Sequence, residues 1–203
     1  MNQIADPAAL RAHMGQINPM AERKVLSRLD AHCRRFIELS PFLVLATADA
    51  DGRVDASPRG DPPGFVRILD DTTLLLPDRP GNNRVDSFAN IVSAPGVGLI
   101  FFVPGIDETL RVNGAARLLT EAEALAPSEV GGKTPRTGLV IEIAEVFFHC
   151  GKALKRSRLW DPAAKIERSE FPTLGKVIAE QIGGISPAEA DAKIEVGYRD
   201  RLY

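Results

Sequence analysis

Apolar positions change their spacing twice along the chain. Over 6–39 they recur at three- and four-residue steps, over 42–148 they form short runs or strict alternations, and after residue 173 the helical spacing returns. Asp6-Pro7 supplies an N-cap and a proline at the first helical position, and 15–19 interrupts the pattern. A longer helix is predicted over 20–39. Val25, Leu26, Leu29, Cys33 and Phe36 share one of its faces, and Arg23, Lys24, Arg28, Arg34 and Arg35 lie largely opposite.

The middle reads as antiparallel strands. A strand over 42–46 turns at Asp49-Ala50-Asp51-Gly52 and returns over 54–57; 65–69 and 73–76 form a second pair about Asp70-Asp71. A third pair is 97–103 with 110–118, in which Leu110, Val112, Gly114, Ala116 and Leu118 alternate with Arg111, Asn113 and Arg117. The last long strand is 138–148. A helix over 83–93 interrupts the series, with Val85, Phe88, Ala89 and Val92 on one face. Six or more short strands and one inserted helix predict a mainly β domain, a small antiparallel barrel. In the tail, 173–182 is helical and stops at Gly183-Gly184, and Ser186-Pro187-Ala188-Glu189 opens a final helix as a capping box. The expected division is a helical extension over 1–40, the barrel over 41–160 and a helical tail over 161–203.

Composition narrows the function classes. A net charge of -2 in 203 residues, with strands that carry no basic, aromatic-studded faces, argues against nucleic acid and anionic membranes. No apolar run approaches the ~20 residues that span a bilayer, and the N-terminus lacks the charged-then-apolar pattern of a secretory signal. Cys33 and Cys150, far apart, make no disulfide framework and suit a reducing cytoplasm. His13, His32 and His149 with the two cysteines show no metal-ligand spacing. His149 and Cys150, adjacent on a strand, point to opposite faces and form no dyad. No GxSxG elbow supports a Ser-His-Asp triad.

Three stretches carry candidate chemistry. In 74–91, LLLPDRPGNNRVDSFANI, a strand gives way through a Pro/Gly turn to a helix beginning near Asn82 or Asn83. Free amides at such a helix start suit phosphate, and Arg79 and Arg84 flank the turn; the alternative is a capped helix with two solvated arginines. The loop 55–61 leaves a strand with Ser57, Pro58 and Arg59 able to meet a planar polar ring edge, or serves only as a proline-stiffened turn. In 104–111, Glu108 and Thr109 stand where a strand begins, either as ligand contacts or as an exposed hairpin. Lys152 and Arg156, four apart on a helix, face a ligand or solvent. Trp160, before Asp161-Pro162, closes a pocket or anchors the tail.

Over 42–160 the chain resembles the pyridoxamine 5'-phosphate oxidase-related family of split barrels. The motifs that carry the likeness are ATADADGRVDASPRGDPPG, LLLPDRPGNNRVDSFANI and GLIFFVPGIDETLRVNGAARL. The resemblance implies a six-stranded antiparallel FMN-binding split β-barrel with flanking helices, and a homodimer with FMN at the subunit interface. It places the phosphate on Arg79, Asn82, Asn83 and Arg84, adds Pro77 and Asp78 to the cofactor site, and sets the flavin ring and its phosphate chain against Ser57, Pro58 and Arg59. Glu108 and Thr109 would reach the flavin from the partner subunit, where the oxidase has a glutamine, and Lys152 and Arg156 are further candidates. The stretch 147–156, FFHCGKALKR, lacks the tryptophan and has shifted the basic residues that in the oxidase hold cofactor and pyridoxal substrate. The implied function is a cytoplasmic FMN-dependent oxidoreductase acting on another small molecule, with no assigned catalytic side chain. Alternatives on the same scaffold are a non-catalytic flavin-binding or redox-sensing protein, or use of F420 or haem, the last with His149 as axial ligand. A barrel without cofactor, serving interaction, is a further alternative. The terminal helices wrap a partner subunit or cover the cofactor site.

Overall fold

A computed structural model describes residues 3–203. Helices α1 (Pro7–Met14) and α2 (Pro19–Arg23) lead to α3 (Ala31–Leu39) and then to strands β1 (Phe42–Ala48), β2 (Val54–Gly60), β3 (Arg67–Ile68) and β4 (Thr73–Pro77). Helix α4 (Asp86–Ser93) precedes β5 (Gly96–Phe102) and β6 (Thr109–Leu119); α5 (Ala122–Leu125) precedes β7 (Gly138–His149). The chain ends with α6 (Lys152–Ser157), α7 (Leu174–Ile182) and α8 (Pro187–Asp200). No helix among the described residues is long and apolar enough to cross a membrane.

The strands form one antiparallel sheet of seven in the order β2-β1-β5-β6-β7-β4-β3, one strand more than the six expected. Leu43 and Leu45 of β1 share a buried cluster with Leu74 and Leu76 of β4, although three strands separate them in the sheet. The sheet therefore curls around one core, and its edges β2 and β3–β4 approach each other across a seam. Phe101, Leu110, Ile141 and Val146 fill the middle, and Cys33, Phe36 and Ile37 of α3 cap it. Burial pushes the Cys33 thiol up to about 11. The alternation predicted for β6 survives a bulge after Asn113. There Gly114 is required: a Cβ would stand 2.0 Å from the carbonyl oxygen of Glu142.

Two sequence expectations for the first half are corrected. The helix expected over 20–39 is broken, because Leu26 leaves it to pair with Val146 of β7 through bonds of 3.0 and 2.8 Å. Asp30 then restarts the helix by accepting from the Cys33 amide at 2.8 Å. The strand expected to end at Ser57 runs on to Gly60, so Pro58 and Arg59, expected in a loop, are strand instead, since β2 pairs with β1 through Phe42↔Gly60. A residue without an N–H is tolerated at position 58 because β2 is an edge strand. The capping box at Ser186 and Glu189 is present, and α7 stops at Gly183 as the spacing predicts.

Candidate functional site

The seam holds a cleft of about 860 Å³, lined from β2, the turn after β4, the start of α4 and the C-terminal part of α8. Alternation on β2 sends Asp55, Ser57 and Arg59 to one side and leaves Val54, Ala56 and Pro58 exposed. Pro77 ends β4 and is buried, which fixes where Asp78 and Arg79 emerge. Ser57, Pro58, Arg59, Pro77, Asp78, Arg79, Asn82, Asn83 and Arg84 all line this cleft, which brings together two stretches that the sequence singled out separately.

Helix α4 begins at Asp86, later than expected. Asn82 accepts from the Arg84 amide at 3.1 Å, and Asn83 and Val85 both take left-handed conformations, with φ of 58° and 54°. For a β-branched residue such a backbone is strained. Val85 is the N-cap and gives no side-chain cap bond, so the first-turn amides of α4 are left uncapped beside the cleft. The helix is held in place by Asn90, whose Nδ2 donates to the buried Thr47 hydroxyl at 3.0 Å, and by Ser87, which donates to Asp55 at 2.6 Å.

Each arginine of the cleft has an aspartate. Arg59 Nη1 donates to Asp78 at 2.8 Å across the seam, its Nη2 reaches Ser87 at 3.5 Å, and its guanidinium lies 5.7 Å from the Phe88 ring centre. Burial pushes the Asp78 carboxyl above its ordinary range, and the neighbouring Arg59 charge only partly offsets this. Arg79 Nε donates to Asp61 at 2.5 Å, and Arg84 Nε donates to Asp86 at 2.8 Å in a more exposed setting. The pairing leaves specific donors over. Arg59 Nε is buried and donates to nothing among the described residues, and no hydrogen bond there uses the Nη atoms of Arg79. The cleft thus combines unspent guanidinium donors and uncapped amides with Phe65, Phe88 and Tyr198.

The remaining sequence candidates lie elsewhere. Thr109 is buried at the start of β6, opposite His149, while Glu108, Lys152 and Arg156 are exposed; none of the four lines the cleft of its own chain. Lys152 and Arg156 do share a helix, α6, as predicted. His149 also lies off the cleft; burial holds its pKa down, with the charges of Arg111 and Lys24 adding to the effect. Trp160 anchors the tail by donating to the Ile106 carbonyl at 2.9 Å. Sequence reasoning missed the functional places of Asp55, Asp61, Ser87 and Tyr198. Asp55 and Asp61 sit in the stretch already singled out, and their proximity to arginine was the available signal.

The family model described as pyridoxamine 5'-phosphate oxidase matches residues 29–150, more than half of the chain. No protein of curated function matches. HupZ of Group A Streptococcus shares the fold at 19% identity and a TM-score of 0.50, over 59% of this chain and 93% of that one. An FMN-binding protein from Syntrophomonas wolfei subsp. wolfei aligns at 13% identity and a TM-score of 0.45, over 70% of this chain and 96% of that one. The matched segment begins just ahead of α3 and takes in all seven strands together with the arginine-lined seam, so the chain belongs to the pyridoxamine 5'-phosphate oxidase family.

Proposed function

We propose that this protein binds FMN in the seam cleft and works as a flavin-dependent oxidoreductase on a small molecule. The observation that carries the reading is the set of unspent donors: Arg79 Nη, the orphaned Arg59 Nε and the uncapped start of α4 converge on one cleft. A phosphate satisfies such donors through charge-assisted, bidentate bonds. The aspartates that pair with the arginines hold them in place and offset their charge, so affinity rests on aimed hydrogen bonds more than on net positive field. Ser57, whose hydroxyl makes no hydrogen bond among the described residues, faces the same space and suits a polar ring edge.

The flavin, when bound, supplies the hydride or electron chemistry. The residues of the chain bind and orient it: Arg79 and Arg84 with the 82–86 turn hold the phosphate, and Arg59 lends positive charge beside the ring. The half-buried Phe65 and Phe88 give the cleft an apolar wall. In this reading the protein is a homodimer, and Glu108, Thr109, Lys152 and Arg156 act on the cleft of the partner subunit. Two free thiols, Cys33 buried and Cys150 exposed, suit the cytoplasm.

The test is an absorbance spectrum of the purified protein before and after incubation with FMN and removal of the excess. A retained oxidised-flavin band supports the reading, and a donor screen then establishes turnover. A protein that stays colourless, or that carries a Soret band instead, overturns it.

A further inference from the structure

The last residues of the chain return to the cleft. Tyr198 of α8 lines it, and Tyr203 donates its hydroxyl to Asp61 Oδ1 at 2.7 Å. The same carboxylate accepts from Arg79 Nε through its other oxygen at 2.5 Å, and the Arg79 guanidinium lies 5.5 Å from the Tyr203 ring centre. Lys133 Nζ donates to the Tyr203 backbone oxygen at 2.7 Å, which fixes the segment from a second side. The Asp61 side chain is only 1% exposed. A carboxylate that deeply buried is retained where both of its oxygens are used, and here they are used on one arginine and one tyrosine.

We propose that Asp61 is the positioning residue for Arg79 and that Tyr203 is a latch laying the C-terminal segment across the cleft. Asp61 takes the Nε side of the guanidinium and so turns the terminal fork, the half suited to bidentate contact with an anion, toward the cleft. Tyr203 occupies the other carboxylate oxygen and stacks against the arginine. A phosphate-bearing ligand then enters and leaves as the latch opens. The inference rests on the flavin reading for its ligand, but the latch itself is a property of this chain alone.

Two measurements test it. In the first, apo protein is titrated with FMN and with riboflavin, which lacks the phosphate, and flavin fluorescence reports affinity and rates. Asp61→Asn should weaken FMN roughly tenfold or more while riboflavin changes much less, and Asp61→Glu should recover part of the loss. Tyr203→Phe should speed FMN dissociation and association together. Equal weakening of both flavins, or unchanged rates in Tyr203→Phe, overturns the proposal. In the second, trypsin cleavage after Arg199 and Arg201 is timed without ligand. Faster cleavage in Tyr203→Phe than in wild type supports the latch, and equal rates overturn it. A wild-type protein that binds neither flavin removes the flavin reading, and the cleavage comparison still decides the latch.

Discussion

Two regions of this barrel are rich in charged residues and use them in opposite ways. At the seam, Arg59, Arg79 and Arg84 are each paired with an aspartate, yet Arg59 Nε and the Nη atoms of Arg79 are left without a hydrogen-bond partner among the described residues, beside a cleft. At the joint between the β5–β6 hairpin and α6, charge closes a contact. Lys155 pairs with Asp107 at 2.6 Å, Gly151 packs so tightly that a Cβ would stand 2.6 Å from the Asp107 Cβ, and Trp160 bonds to Ile106. The donors and acceptors of these contacts are spent on one another, whereas at the seam donors are left over. Charge density therefore separates neither region from the other; what separates them is whether donors exceed acceptors around an empty volume.

The largest effect that can break the comparison is at Arg79. Arg79→Ala should lower FMN affinity by about 10- to 100-fold, the worth of about 1.5–3 kcal/mol for a charge-assisted bond, with riboflavin binding little changed. Fluorescence titration reads it, and unaltered affinity would mean that the seam pairs are as purely structural as the Lys155–Asp107 pair. At the joint the reverse is expected. Gly151→Ala should cost about 1–3 kcal/mol in urea unfolding, because the added methyl meets backbone and side chain of Asp107 that cannot retreat cheaply. A neutral result there would show that the joint is loose.

Smaller effects sharpen the picture. Lys152→Ala and Arg156→Ala should leave the unfolding midpoint in place, since both side chains are exposed. On the proposed reading, in which α6 serves the cleft of a second subunit, they should nevertheless weaken FMN binding by a few-fold, and a null result on affinity would remove α6 from that reading. The smallest effect is in pH dependence. The Asp78 carboxyl is raised in the folded state, so in the window just above the ordinary Asp value the folded chain holds more protons than the unfolded one. Stability from this group is therefore present at lower pH and declines as pH rises through that window. Acid-range urea titrations should show wild type losing stability relative to Asp78→Asn over that range, and a constant difference would remove Asp78 from the account.

Local pattern carried much of this. A short apolar run located β5, alternation located β6, the capping box located α8, and the 74–91 motif grouped Arg79, Asn82, Asn83 and Arg84, which do meet. Where the reading failed, a distant partner had overridden local preference. The 20–39 segment looks continuously amphipathic, but pairing with Val146 outweighed helix continuity at Leu26. After Ser57 the proline suggested a loop, and only an edge position let the strand continue. The late start of α4 depends on left-handed Asn83 and Val85, which no periodicity announces.

By itself the sequence determined the class of elements, their order and which arginines and asparagines cluster after β4, because side-chain period and turn chemistry are local. Only the tertiary structure decided that Arg59 meets Asp78, that Arg79 meets Asp61 and that Tyr203 reaches back to Asp61. Those contacts join residues 19, 18 and 142 positions apart, and they exist only because the sheet curls until its two edges face one another.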